Sequence, residues 1–194
     1  MSLQNALLGV LDARPMSGYE LAQFFDSGSG WVWSAPQSQI YPHLRRMEAD
    51  GLITGERTVR GSKLERTIYS LTADGKRALL EWLGEYHAPP PPRDPFALQA
   101  LLFDVLAPEE AVTVLKAHIE EQERIAERHE VQAARLRALD TPLLVERLRN
   151  RPPADHARIG RLKAHVFAGK AAAARQQVEW ARTAITLVHG GGDA

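Results

Sequence analysis

The chain has 194 residues, no cysteine, and 24 basic residues (Lys and Arg) against 24 acidic ones. Hydrophobic residues make up 44% and charged residues 25%, which are ordinary globular values that exclude wholesale disorder. The absence of cysteine excludes disulfides, thiolate metal sites and a cysteine nucleophile. The N-terminus does not resemble a signal peptide, and no stretch approaches the ~20 apolar residues of a membrane span. We therefore expect a cytoplasmic protein without a membrane partner.

Two helices are predicted at the start of the chain. Apolar residues recur at helical spacing over residues 3–12. After a break at Pro15, Ser17 and Glu20 match a capping box, in which two side chains satisfy each other's free backbone N–H groups at a helix start. A third helix is expected to begin around Ser34, with Ser34 and Gln37 as another capping pair.

The third helix has two different faces. Ile40, Leu44 and Met47 fall at i, i+4 and i+7 and predict a buried stripe, whereas Pro42 predicts a kink or a late helix start. On the opposite face and its flanks lie side chains of the types that bind base edges or phosphates. Taken alone, such a face is more typical of a solvated helix. The candidate DNA-contacting residues of this helix are Ser38, Gln39, Tyr41, His43, Arg45 and Arg46.

A hairpin and a fourth helix follow the third helix. Two β-rich runs, 52–54 and 67–71, flank a polar tip that contains Gly61, and residues 72–75 resemble the capped start of a helix. Three helices, a basic hairpin and a helix in this order predict a winged helix-turn-helix, whose third helix enters a major groove. The wing residues expected to contact phosphate or minor groove are Arg57, Arg60, Lys63 and Arg66.

Five short motifs in this order carry a family resemblance: Leu7–Leu11, Ser17–Leu21, Gln39–Leu44, Glu48–Ile53 and Ile68–Gly75. Together they resemble the PadR transcriptional regulators over residues 3 to about 86. The resemblance implies a DNA-binding winged helix, and it accounts for the Tyr41–Pro42 pair, which is common in the recognition helices of that family.

A proline-rich spacer divides the chain. Residues 88–95 contain five prolines and predict a stiff, extended linker between a DNA-binding domain at 1–87 and a helical domain at 96–194. Beyond the linker we expect a long helix from Pro108 and a final helix over about 155–188. The predicted fold class is mainly α with a small β-hairpin, an N-terminal winged helix-turn-helix and a C-terminal helical dimerisation domain.

The long helices of the second half are expected to pair two copies of the chain. Thin helices of this length need a partner to cover their apolar faces, and twofold dimers are the commonest oligomers. The second half resembles the AphA-like subgroup of PadR proteins, whose C-terminal helices dimerise. An intramolecular bundle is the alternative. The residues assigned to dimerisation are Leu3, Leu7, Leu115, Ile119, Leu162, Val166, Trp180 and Leu187.

Aromatic residues near the predicted domain junction have two interpretations. They cover the edge of the core, because aromatic rings carry large apolar area, or they line an effector pocket. The resemblance favours an effector, because other PadR proteins respond to phenolic or drug-like molecules. The candidate pocket residues are Trp31, Trp33, Trp82, Phe96 and Phe103.

No constellation of residues supports an enzyme, a metal site or a cofactor. The histidines lack the i, i+4 spacing of a helical zinc site, and no serine has a nucleophile-elbow context. The sequence therefore predicts a homodimeric repressor of transcription that binds double-stranded DNA at a palindromic operator and responds to a small aromatic effector. The competing hypothesis is a winged helix that binds another protein, which suits the zero net charge better.

Overall fold

The computed structural model describes residues 2–26, 35–60, 64–89 and 94–190. The chain divides into two compact units: residues 1–87 with 139–157, and residues 88–138 with 158–194. The sequence analysis assigned residues 139–157 to the second half, whereas their contacts lie with the N-terminal unit. The functional division into a DNA-binding and a dimerisation domain stays a prediction.

The N-terminal unit contains a three-stranded antiparallel sheet and five helices among the described residues. Strand order is β1-β3-β2, so the two-residue β1 extends the predicted hairpin by one strand, pairing Ser17 with Ile68. The elements are α1 (Ser2–Leu11), β1 (Met16–Ser17), α2 (Gly18–Asp26), α3 (Gln37–Ala49), β2 (Ile53–Arg60), β3 (Leu64–Leu71), α4 (Ala73–Gly84) and α7 (Pro142–Arg149). This arrangement is the predicted winged helix, and the antiparallel ribbon of β2 and β3 is its wing.

The start and end of α3 are determined by different signals. The helix begins at Gln37 with Pro36 at its N-cap, later than expected, and it continues through Pro42. Ser34 lies outside the described residues. At the other end Gly51 adopts φ +72°, and the N–H groups of Gly51 and Leu52 bond the carbonyls of Glu48 and Met47. This is a Schellman motif, which requires the left-handed conformation that glycine adopts without strain.

The apolar core of the unit holds the four winged-helix helices together. Leu7, Leu21, Phe25, Ile40 and Leu44 are all fully buried in it. On α4 Leu79 is buried, whereas Leu80, Trp82 and Leu83 are exposed. Burial of this core is the main source of stability for the unit.

Helix α7 docks on the winged helix through a partly buried ion cluster. Asp12, at the end of α1, receives Lys76 of α4 and the Nη1 of Arg147, which lies 2.6 Å away. A second nitrogen of Arg147 donates to the Gly9 carbonyl. Burial alone would raise the pKa of Asp12, but the hydrogen bonds and charges of Lys76 and Arg147 hold this pKa below its ordinary value of 3.8. The cluster therefore ties a segment of the C-terminal half to the first helix.

The second unit consists of helices in its described part. Its long helices pack antiparallel, because Arg175 of the last helix bonds Glu130 at 3.1 Å while Arg182 bonds Glu123 at 3.1 Å. The elements are α5 (Pro95–Ala100), a 3₁₀ turn (Phe103–Val105), α6 (Pro108–Arg137) and α8 (Pro153–Val188), whose first residues belong to the N-terminal unit. Among the described residues, no helix combines the length and apolar character that crossing a membrane requires.

Candidate nucleic-acid interface

Helix α3 separates an apolar from a polar face as the sequence predicts. Ile40, Leu44 and Met47 are buried in the core of the unit. On the outer face, Arg46 Nε lies 3.7 Å from the Asp50 carboxylate, a solvated pair that contributes little stability. The exposed candidates of this face are Ser38, Gln39, Arg45 and Arg46. The helix therefore presents amide, hydroxyl and guanidinium groups to the outside.

Two flanking candidates, Tyr41 and His43, are only partly exposed. Tyr41 packs against the start of α2, where a Cβ added to Gly18 would lie 2.8 Å from Tyr41 Cε1. His43 Nδ1 lies 2.9 Å from the Gln39 carbonyl oxygen. Because a carbonyl can only accept, this contact assigns the proton to Nδ1. Tyr41 thus also packs α3 against α2, which its sequence pattern did not indicate, whereas the His43 contact stays within α3.

Glu48 anchors the base of the wing to α3. Its Oε1 accepts a hydrogen bond of 2.9 Å from the Gly55 backbone N–H. A Cβ at Gly55 would lie 2.5 Å from that oxygen and 2.9 Å from Thr67 Cγ2, so only glycine permits this approach. Burial raises the pKa of the neighbouring Tyr69, and the negative charge of Glu48 raises it further. The anchor joins residues seven apart in different elements, and the sequence analysis missed it.

The register of the wing turns its described arginines to opposite faces. Arg57 pairs with Thr67, and Thr58 pairs with Arg66. Since directly opposite residues share a face and side chains alternate along a strand, Arg57 lies on the face of Gly55, towards α3. Its side chain is exposed there. Arg57 is therefore an exposed arginine on the face of the wing that lies towards α3.

Arg66 is held in an ion cluster at the first turn of α2. Its guanidinium bonds Glu20 Oε2, which also accepts from the Ser17 N–H at 2.8 Å and the Ser17 hydroxyl at 2.7 Å. Burial alone would raise the pKa of Glu20, but the Ser17 hydrogen bonds and Arg66 lower it to about 2. The predicted capping box is present, and its Glu20 carboxylate also pairs with a wing arginine. The Arg60 side chain and all of Lys63 lie outside the described residues.

Comparison with known proteins identifies the family. The model of the "Transcriptional regulator PadR-like family" matches residues 7–81. The negative transcriptional regulator PadR of Bacillus subtilis is 37% identical over 123 residues, which span 62% of this chain and 67% of that protein. The chain belongs to the PadR-like family of transcriptional regulators.

Solved structures of PadR-like proteins share the fold over almost the whole chain. B. subtilis PadR in complex with operator DNA has a TM-score of 0.75 and 26% identity, covering 97% of this chain and 99% of that one. The same protein in complex with p-coumaric acid has a TM-score of 0.70 and 25% identity, covering 96% and 95%. The Vibrio cholerae virulence activator AphA, at 24% identity, 98% and 99% coverage and a TM-score of 0.64, shows the fold alone.

An aromatic cluster in the second unit of this PadR-like chain lies beside a cavity. The rings of Phe96 and His118 stack with centroids 3.7 Å apart, and Trp180 meets Phe96 edge-on at 6.0 Å. Burial lowers the pKa of His118, although a hydrogen bond that His118 donates to the Gln177 side chain and the charge of Asp94 oppose the shift. The cavity measures about 390 Å³ and is lined by Asp94, Phe96, Ala97, Ala100, Leu101, Gln177 and Trp180.

The predicted effector residues are only partly brought together. Phe103 joins the cluster, since its ring lies 6.2 Å from that of Phe96. Trp82 belongs to the N-terminal unit, where it stacks on His87 at 5.4 Å. Trp31 and Trp33 lie outside the described residues. Trp180, which the sequence assigns both to dimerisation and to the effector pocket, lines the cavity.

The predicted dimerisation residues fall into two groups. Leu3, Leu7 and Leu115 are buried within the chain, so they contribute to the packing of the single chain. Helical periodicity alone does not distinguish this role from packing between two chains. Ile119 is half-buried. The remaining four are exposed: Leu162, Val166, Trp180 and Leu187.

Proposed function

We propose that the chain is a sequence-specific DNA-binding repressor that acts as a homodimer on a palindromic operator and responds to a small aromatic effector. The exposed polar face of α3, set opposite a buried stripe and next to a wing, carries the proposal. Support comes from the negative regulator of B. subtilis and from its complex with operator DNA. A cytoplasmic location follows from this role.

In this proposal α3 reads bases and the wing binds phosphate. Arg45 and Arg46 bond a guanine edge or a phosphate, Gln39 an adenine edge, and Ser38 a phosphate. Tyr41 and His43 add contacts from the flanks. Arg57, Arg60 and Lys63 bind phosphate or enter the minor groove from the wing. The two copies of α3 in a dimer would read half-sites about one helical turn apart, ~34–36 Å, or a multiple of that distance.

A fluorescence-anisotropy titration tests the DNA interface. The probe is a labelled duplex recovered by selection from a random-sequence pool. Arg45→Ala should weaken binding by ~1–3 kcal/mol and relax sequence preference, whereas Arg57→Ala should weaken all duplexes alike and lower the salt slope by about one. Arg124→Ala, on the exposed surface of α6, is the control and should bind as the wild type does. Duplex binding that is absent at low salt, or flat in salt, favours the protein-interaction hypothesis.

Exposed apolar side chains of the second unit support the homodimer. Leu98, Leu101, Leu102 and Val105 are 58–79% exposed, a concentration of apolar surface that marks interaction sites. Sedimentation equilibrium should give a dimer, and Leu101→Asp should shift it towards monomer without unfolding the chain, because the side chain lacks intramolecular burial. A wild-type monomer at micromolar concentration contradicts the proposal.

The cavity beside Phe96 and Trp180 is the effector site that we propose, supported by the p-coumaric acid complex of B. subtilis PadR. Among the described residues that line it, Asp94 is the one ionisable residue, so an uncharged aromatic suits the cavity better than a carboxylate. Titrations of tryptophan fluorescence with p-coumaric acid and with its uncharged amide test this. The amide should bind more tightly, and Trp180→Phe should remove the signal. Unchanged fluorescence with both compounds excludes these phenolics as ligands of the cavity.

A further inference from the structure

We propose that Arg66 is a positioning residue of the DNA interface: by pairing with Glu20 it fixes the base of the wing against the first turn of α2. It does not itself bind phosphate. This inference rests on the DNA-binding role proposed above and replaces the sequence-based expectation that Arg66 contacts DNA.

The Glu20 carboxylate is held in place by contacts other than the one to Arg66. Ser17 donates its backbone N–H and its hydroxyl to Oε2, and the N–H of Glu20 donates back to the Ser17 hydroxyl oxygen at 3.2 Å. Arg14 lies 3.4 Å from Oε1. Ser17 is itself part of β1, which pairs with β3 at Ile68. The carboxylate is therefore held by the same sheet that continues into the wing.

Arg66 is turned towards this carboxylate and is partly shielded from solvent. Its side chain is only 38% exposed, and its Nε is buried with no hydrogen-bond partner among the described residues. Arg66 comes two residues before Ile68 on β3, and it lies on the face opposite to Arg57. To reach a phosphate, the guanidinium must first break the bond to Glu20.

The pair is charged at every pH at which DNA binding is measured. Because the pKa of Glu20 is about 2, the carboxylate remains ionised far below neutrality. Arginine does not lose its proton in proteins. A permanently charged pair holds its two side chains in a fixed geometry more strongly than a neutral hydrogen bond does.

The two possible roles of Arg66 predict opposite effects of Glu20→Gln. If Arg66 bound phosphate, removing the Glu20 charge would free the guanidinium and reduce repulsion of DNA, so binding would tighten. If Arg66 positions the wing, the same substitution loosens the wing, so binding weakens. Each lost wing contact to phosphate corresponds to about tenfold in affinity at 0.1 M salt.

The experiment titrates the selected duplex with wild type, Glu20→Gln, Arg66→Gln and the double variant. Each single variant should weaken binding about tenfold, and the double variant should be no weaker than either, since both break one pair. Equal or tighter binding by Glu20→Gln overturns the inference. A wild type that binds no duplex at low salt refutes the proposed function instead.

A second double variant separates wing placement from general loss of structure. Arg57→Ala should weaken wild type about tenfold, but it should have little further effect in the Glu20→Gln background, because a displaced wing no longer brings Arg57 to phosphate. An unchanged Arg57 effect in that background also overturns the inference. Circular dichroism checks folding. Should Glu20→Gln not fold, Ser17→Ala removes the hydroxyl bond to the carboxylate and the N-cap bond from the Glu20 N–H, but it keeps the Glu20 charge. Weakened binding then supports positioning, and unchanged binding refutes it.

Discussion

Gly75→Ala should destabilise the N-terminal unit, although alanine is the better helix former. Gly75 lies in the first turn of α4, against the corner where α3 passes into β2. A Cβ at this position would lie 2.0 Å from the Leu52 carbonyl oxygen and 2.9 Å from Leu71 Cδ1. Because the first of these atoms belongs to the backbone, a side-chain rotation cannot relieve the clash.

The size of the effect follows from three contributions. Overpacking costs typically about 1–3 kcal/mol. The Leu52 carbonyl also accepts from the Thr72 N–H at 3.2 Å, and displacing it costs a further ~1 kcal/mol. Alanine returns at most ~1 kcal/mol of helix propensity. The free energy of unfolding should therefore fall by about 1–3 kcal/mol.

Gly84, at the other end of the same helix, is the matched control. Apart from its chain neighbours and its own helix backbone, no atom of the described residues lies within 4 Å of a Cβ added there, so Gly84→Ala should leave stability unchanged or raise it by up to ~1 kcal/mol. Urea denaturation followed by tryptophan fluorescence measures both variants, with the change read from the midpoint at constant slope. A Gly75→Ala variant as stable as Gly84→Ala would refute the reasoning.

Two further predictions concern buried charge. Arg147→Met should cost about 3 kcal/mol because it leaves Asp12 buried with less compensation, whereas Arg149→Met, which removes an exposed pair, should cost less than ~1 kcal/mol in the same urea assay. Burial lowers the pKa of His118 below 6.5, so, as the pH falls, the imidazole of the unfolded chain is protonated before that of the folded chain. The melting temperature should therefore fall as the pH drops below about 6.5, and His118→Phe should reduce that fall.

The parts of the fold that the sequence predicts depend on short-range interactions. The stripe of Ile40, Leu44 and Met47 needs only helical periodicity, and the capping box of Ser17 and Glu20 needs only a spacing of three. Helix periodicity does not, however, say which chain covers an apolar face. This is why Leu7 and Leu115 could be assigned to a dimer when the chain itself buries them.

The unpredicted parts depend on contacts between distant residues. Asp12 and Arg147 are 135 positions apart, and Glu20 and Arg66 are 46 apart. The sequence around either partner of such a pair does not indicate which residue the other partner is. An arginine on a β-ribbon is equally compatible with solvent, with a phosphate or with a carboxylate. Only the register, which sets the face of each side chain, separates Arg66 from Arg57.

The zero net charge is compatible with DNA binding once the cations are sorted by position. Coulomb interactions of exposed charges fall off over about 10 Å at 0.1 M salt, so the charge of the local surface matters more than the sum. Within the described residues, Arg14 and Arg66 are neutralised at Glu20, while Arg45 and Arg57 are exposed on the side of α3. Even with Arg60 and Lys63 of the proposed interface added to them, one copy offers only a few cations to phosphate, so its affinity is weak. Under the proposed function, binding at physiological salt then requires both copies of the surface on one duplex, so a monomeric variant such as Leu101→Asp should lose operator binding even though its α3 is intact.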